Sequence, residues 1–267
     1  MSLRSRIKQF AFTRHIWIEK LNSKEEIERF LERFREKYVS CNLVRVGGDS
    51  DGGYLHPDNL DTISYCFSAG VSDISNFEKE LSDRFGIKSF MADASVENSP
   101  IQDKNFEFIP KFIGIHSKNE FITLSDWMNQ TLGENKENII LQMDIEGGEF
   151  DVLMYEDSST LSRFSSMIIE FHNLQKMFEK DFLKMTSAIF EKIYTNFSIC
   201  HVHPNNCCGI ASLDGIDIPR VLEVTFIRND LVDGLLNNKL VKLPHILDRK
   251  NIKTNEDLHM PKIWWEK

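Results

Sequence analysis

The chain has 267 residues, 41% hydrophobic and 27% charged, with a formal net charge of −9. Those values suit one large folded domain with additions and exclude a mostly disordered chain; the negative charge disfavours non-specific nucleic-acid binding but leaves room for a phosphorylated small molecule on a local basic patch. No apolar run approaches the roughly 18–20 residues of a bilayer span, and Met1-Ser-Leu-Arg-Ser-Arg lacks a secretory signal's apolar segment, so a soluble, cytoplasmic protein without membrane insertion is expected.

Residues 23–38 read as an amphipathic helix. Ser23 is its cap, Glu26 the capping-box partner three residues on, and Ile27, Phe30, Leu31 and Phe34 form one apolar face. Its polar face is mixed in charge, so it is expected to pack on the domain or on another subunit, which leaves a homo-oligomer open. Residues 43–55 follow, with Gly47, Gly48, Gly52 and Gly53 where the backbone turns or approaches a ligand, and read as a loop between short strands.

A strand from Ile63 then ends in the small-residue turn Ser68-Ala69-Gly70-Val71-Ser72. A helix over 74–86 and a strand from Lys88 to Asp93 come next. That order is what a nucleoside site requires: small residues admit the ligand to backbone amides, and a carboxylate accepts both ribose hydroxyl protons. The turn has one glycine where the nicotinamide-dinucleotide motif has three. Residues 106–115 suggest another strand, and 121–128 a helix entry.

Residues 138–153 carry the strongest signal. Ile139, Ile140, Leu141 and Met143 suit a strand covered on both faces, and Asp144, Glu146 and Glu149 follow around Gly147-Gly148. Carboxylates are costly inside such a strand and belong at its carboxyl edge, where open α/β sheets bind ligands. Glu149 is assigned to the start of the next helix and Glu146 to the site.

Two later strands end in metal-capable side chains, Glu170 and His172 on one, His201 and His203 on the other. Residues two apart in a strand share a face. Asp144, His172 and His203 are therefore expected as ligands of a divalent metal, with Glu170 a fourth ligand or an orienting group. The mixed set suits iron(II) or manganese better than calcium. Residues 221–228 read as a final strand at an antiparallel edge, and the tail from 236 carries Pro244, Pro261 and Trp264-Trp265. Five cysteines without CxxC spacing fit reduced thiols.

Asp144-Ile-Glu-Gly-Gly-Glu-Phe-Asp-Val-Leu resembles the Asp-hydrophobic-Glu-Gly-x-Glu signature of FkbM-type S-adenosylmethionine-dependent methyltransferases. The Phe77-Glu78 pair, the arrival of Asp93, and His203-Pro-Asn205-Asn206 resemble further family segments. The resemblance spans about residues 43–230 and implies a Rossmann-like class I methyltransferase: an α/β fold with a seven-stranded, mostly parallel sheet and helices on both faces. It divides the chain into an N-terminal helical extension (1–42), the methyltransferase domain (43–235) and a C-terminal tail (236–267) packing on the domain or a partner subunit.

The activity it implies is O-methylation of a sugar hydroxyl, on a nucleotide-activated hexose or heptose for capsule or lipopolysaccharide, with metal assistance. Ser68, Ala69 and Gly70 would lie beside the cofactor's amino-acid end and Asp93 on its ribose, with Asp51 and Gly52 in the segment leading to that site. Asp144, Glu146 and His201 would be catalytic, and Asn205 and Asn206 would recognise sugar hydroxyls. A metal-dependent hydrolase and a non-catalytic binding member of the fold remain as other readings.

Overall fold

The protein is described by a computed structural model covering residues 2–237 and 239–266. The N-terminal half forms α1 (Leu3–Phe12), α2 (Lys24–Glu36), β1 (Leu43–Val46), β2 (Tyr54–Pro57), β3 (Tyr65–Ala69), α3 (Asn76–Phe85), β4 (Lys88–Ala92), β5 (Phe106–Ile109), β6 (Phe112–Ile113), β7 (Phe121–Ile122) and α4 (Leu124–Leu132). The remainder forms β8 (Ile139–Met143), α5 (Glu149–Tyr155), α6 (Ser158–Leu161), β9 (Ser166–Phe171), α7 (Lys180–Tyr194), β10 (Phe197–Pro204), β11 (Ile210–Leu213), β12 (Ile216–Pro219), β13 (Leu222–Arg228) and α8 (Asn229–Val232).

Seven strands make one sheet in the order β10-β13-β9-β8-β3-β4-β5. The pairings through β9, β8, β3, β4 and β5 are parallel, and β13 runs antiparallel to both its neighbours. This is the expected Rossmann-like, mostly parallel sheet, with one correction. The final strand does not form an edge; β13 inserts between β9 and β10, and its first six residues are buried, as an interior strand requires.

Alternation along the central strands divides the core. Cys66, Ile140 and Ile168 face Phe77 and Leu81 of α3 on one side. Phe67, Leu141, Met143, Met167 and Ile169 belong to the larger cluster on the other, with Trp127 of α4, Val152 and Leu153 of α5, and Ile189 and Phe190 of α7. Because β3 leads outward to β4 while β8 lies on its other side, the sheet has its topological switch between β3 and β8.

The capping box at Ser23 and Glu26 is formed, and Ile27, Phe30, Leu31 and Phe34 are all buried. Phe30 and Phe34 meet Phe190 of α7 and Trp264 from the tail, with the Phe34 and Trp264 ring centroids 5.2 Å apart. Trp264 is 1% exposed, and its indole N–H donates to the Asp217 carbonyl at 2.9 Å. The thiols also differ from expectation: Cys207 and Cys208 are joined as a disulfide in the turn after β10, while Cys41, Cys66 and Cys200 are free and buried.

Trp264→Ala would remove a fully buried ring and orphan a carbonyl. It is expected to cost about 3–5 kcal/mol in denaturant unfolding; a loss below about 1 kcal/mol would show the tail to be loosely held.

Candidate active site

A cavity of about 520 Å³ opens at the switch point, lined among others by Asp51, Gly52, Tyr54, Gly70, Glu78, Asp93, Gln142, Asp144 and Glu146. Its volume suits a small-molecule ligand. Gly70, at φ +83°, is the reason β3 can end there: a Cβ on it would lie 1.6 Å from the Asp144 carbonyl oxygen. Asp93, just past β4, accepts from the Ser72 amide at 2.9 Å and the Ser95 amide at 2.7 Å, one on each carboxylate oxygen. Each oxygen keeps a lone pair for a further donor.

Ser68 and Ala69, expected beside the cofactor, are fully buried and do not line the cavity. The Ser68 hydroxyl sits between Glu78 Oε1 and Gln142 Oε1, and the Gln142 amide donates to the Tyr54 hydroxyl at 3.3 Å. One hydroxyl has one proton. Burial raises the Glu78 pKa, and a protonated Glu78 supplies the second donor that this arrangement needs. The role of Ser68 is thus to support Glu78, which does line the cavity.

Beside the cavity stands His172, 13% exposed at its side chain. Its Nδ1 lies 3.0 Å from Glu149 Oε1. Its Nε2 faces three carboxylates at non-bonding distances: Asp144 at 3.8 Å, Glu146 at 3.6 Å and Glu170 at 3.7 Å. Glu149, Asp144 and His172 each offer an atom within 4.8 Å of the others. Glu149 Oε1 is already engaged, accepting from the amides of Ile145 at 3.1 Å and Gly147 at 3.2 Å. Glu149 therefore orients the imidazole, and the Nε2 side is where a cation would be shared.

Unspent acceptors support that fit. Asp144 Oδ1, Glu149 Oε2 and Glu170 Oε2 are buried without hydrogen-bond partners. Burial, with Glu146 and Glu149 nearby, raises Asp144 to about 7 despite the opposing His172. Burial also pushes Glu170 well above its ordinary value, aided by the Asp144 charge. For His172, burial acts downward, but the Glu149 bond and the surrounding carboxylates outweigh it and raise the pKa. The site has more carboxylates than cationic groups, a donor set that suits a divalent metal. Glu146, at the rim, has φ +56° and a side chain 87% exposed, so it reaches the centre from a turn.

His203 does not join His172. It pairs in register with Glu223 of β13, which in turn pairs with Glu170, so two strand spacings, on the order of 10 Å, separate His203 from Glu170. His203 Nδ1 lies 3.8 Å from Asp248 Oδ1, and His201 Nε2 lies 2.9 Å from the same oxygen. Burial acts to raise Asp248, but the two histidines beside it outweigh that and hold it below the usual carboxylate range. His201, expected to be catalytic, is 3% exposed and holds the tail.

The asparagines are likewise committed within the protein. Asn205 Nδ2 donates to Glu170 at 2.9 Å, and its Oδ1 accepts from the Cys207 amide. Asn206 donates to the carbonyls of Ile252 and Glu256 and accepts from the Ile252 amide. Both amide protons of Asn206 are thus engaged, while Asn205 keeps one N–H beyond its bond to Glu170. Residues not anticipated from the sequence are Glu149 as orienter, Glu223, Asp248 and Asn251, whose Nδ2 bridges Asp51 at 3.1 Å and Glu223 at 2.7 Å.

Two outcomes follow from this geometry. Gly70→Ala should abolish measurable S-adenosylmethionine binding by calorimetry, because the added methyl displaces the β8 end; unchanged affinity would remove the cavity from cofactor binding. Manganese affinity should rise as pH increases from 6 to 8, since Asp144 at about 7 and the raised His172 must both lose protons before ligating. A flat or falling affinity would exclude them as ligands.

A methyltransferase FkbM domain model matches residues 55–195. A comparison with curated proteins gives no match. Among solved structures the chain is similar to the Thermotoga maritima spermidine synthase, at TM-score 0.39 and 7% identity over 79% of this chain and 78% of that one. It is also similar to the Methanococcus jannaschii fibrillarin pre-rRNA processing protein, at TM-score 0.37 and 11% identity over 63% and 68%. M. jannaschii TYW2 in complex with AdoMet gives TM-score 0.33 and 10% identity over 78% of each chain. At these scores nothing about activity transfers from them. The family match covers more than half of the chain, and the chain belongs to the FkbM family of methyltransferases.

Proposed function

We propose that the chain transfers a methyl group from S-adenosylmethionine to a sugar hydroxyl, on a nucleotide-activated hexose or heptose used for capsule or lipopolysaccharide, with a divalent metal assisting. The observation that carries this reading is Asp144: a carboxylate raised to about 7 that lines the cavity and stands against the carboxylate-ringed face of His172.

S-adenosylmethionine, when bound, supplies a methyl group on a cationic sulfur that departs as a neutral thioether. Gly70 lets the ligand reach the backbone, and Asp93 keeps an acceptor lone pair on each oxygen for ribose hydroxyls. The acceptor hydroxyl must lose its proton as its oxygen bonds to carbon. Where no metal holds it, Asp144 is placed to take that proton, because a carboxylate near 7 is largely ionised just above neutrality and still basic enough to act.

A divalent metal, iron(II) or manganese, held by Asp144, His172 and Glu170 with Glu146 from the rim, would lower the pKa of a chelated hydroxyl. Glu149 fixes the His172 ring for that role. Sugars present hydroxyl donors, and this edge presents carboxylate acceptors, which favours a polyhydroxylated acceptor.

The test is calorimetric titration of S-adenosylmethionine into metal-stripped protein, repeated with manganese, alongside methylation assays on nucleotide sugars. Asp144→Asn is expected to keep cofactor affinity within about threefold while turnover falls about 100-fold or more. Comparable turnover in the variant would sink the role of Asp144, and no cofactor binding in either state would sink the reading as a whole.

A further inference from the structure

The segment before Asn22 differs in character from the body. Arg4, Arg6, Lys8, Arg14 and Lys20 against Glu19 give it a charge of +4 in a chain totalling −9, so the remainder carries −13. It also holds Leu3 at 75%, Ile7 at 52%, Phe10 at 65%, Phe12 at 62%, Ile16 at 56% and Trp17 at 76% exposure. Single exposed hydrophobics are ordinary, but this many within about twenty residues are not.

Its attachment is defined. Asn22 is buried and its amide donates to the carbonyls of Met177 at 2.8 Å and Glu179 at 2.9 Å, so the chain joins the body there. Within α1 only Ala11 is buried. The arm packs on itself: the Phe12 and Trp17 rings are 6.4 Å apart, and the Arg14 guanidinium lies over the Phe10 ring.

Along α1, Leu3, Ile7 and Phe10 follow the spacing of one helical face. Arg4 and Lys8 flank that stripe on one side and Arg6 on the other, which lets their aliphatic stems lie along it while the charges reach outward. An acidic protein surface would satisfy the cations but not the apolar stripe between them. An anionic lipid surface satisfies both in one plane, headgroups taking the cations and acyl chains the stripe, with Trp17 suited to the boundary.

We propose that residues 2–21 form an interfacial arm that docks this protein reversibly on membranes carrying anionic headgroups. The cofactor cavity stays on the body, at the sheet's carboxyl edge, and takes no part in the docking.

The test is flotation of the full-length protein with vesicles of phosphatidylglycerol and phosphatidylethanolamine, against vesicles of phosphatidylcholine, at low and raised salt. Binding is expected on the anionic vesicles alone, weakening about tenfold or more with salt. R4E/K8E and I7S/F10S, all at exposed positions, should each lose about tenfold or more in vesicle affinity with unchanged circular dichroism. Absence of the wild type from the anionic vesicle fraction at low salt would overturn the proposal. So would equal binding by both variants, or sedimentation showing that the arm instead joins two copies of the chain.

Discussion

The arrangement of the site rests on one buried carboxylate. Glu149, fully enclosed at the first position of α5, gathers the amides of Ile145 and Gly147 and the Nδ1 of His172 on a single oxygen. Through that one oxygen it sets the turn after β8, the start of a helix, and the ring carried just past β9, while its other oxygen is buried without a hydrogen-bond partner. Asp144 emerges toward the cavity because the backbone on either side of it is held, by Gly70 pressed against its carbonyl and by Glu149 on the turn that follows.

Negative charge is concentrated across three neighbouring strands. Asp144 just past β8, Glu170 near the end of β9 and Glu223 near the start of the antiparallel β13 lie on neighbouring strands, with Asp51 brought close through Asn251. Burial keeps Glu170 and Glu223 above the ordinary carboxylate range, so these groups hold part of their charge in check by retaining protons. Such an edge answers strongly to any incoming cation or hydrogen-bond donor, because its acceptors have few protein partners to give up.

The fold was readable from the chain because its strands are near-continuous apolar runs closed by glycines and carboxylates. The run 139–143 is covered on both faces, and the step from Gly70 to Asp93 spans one strand-helix-strand unit. Glu170 and His172 were readable as a pair by their alternation within one strand. The grouping of His203 with them was not, since it depends on how strands of distant sequence are ordered, and β13 with Glu223 comes between. Glu149 looked like an ordinary helix-start carboxylate because that is also what it is; its second role needs His172 beside it. Asn205 and Asn206 fit a sugar-binding pattern by residue type, which gave no sign of the bonds they make to Glu170 and to the tail. Asp248, forty-five residues beyond His203, had no local pattern to announce it.

The Asn206 side chain holds the tail through main-chain atoms, two carbonyls and one amide, at Ile252 and Glu256, and its own carbonyl accepts from the Asn255 side chain. The Asn206 side chain is thus blind to the side chains at Ile252 and Glu256. The path of the tail over the sheet edge is fixed while the identities of its residues are left free, apart from Asp248, Asn251, Asn255 and Trp264, whose side chains reach inward. Variation can therefore accumulate in this strip, and new surface chemistry can be laid alongside the cavity, without the backbone there having to be solved again.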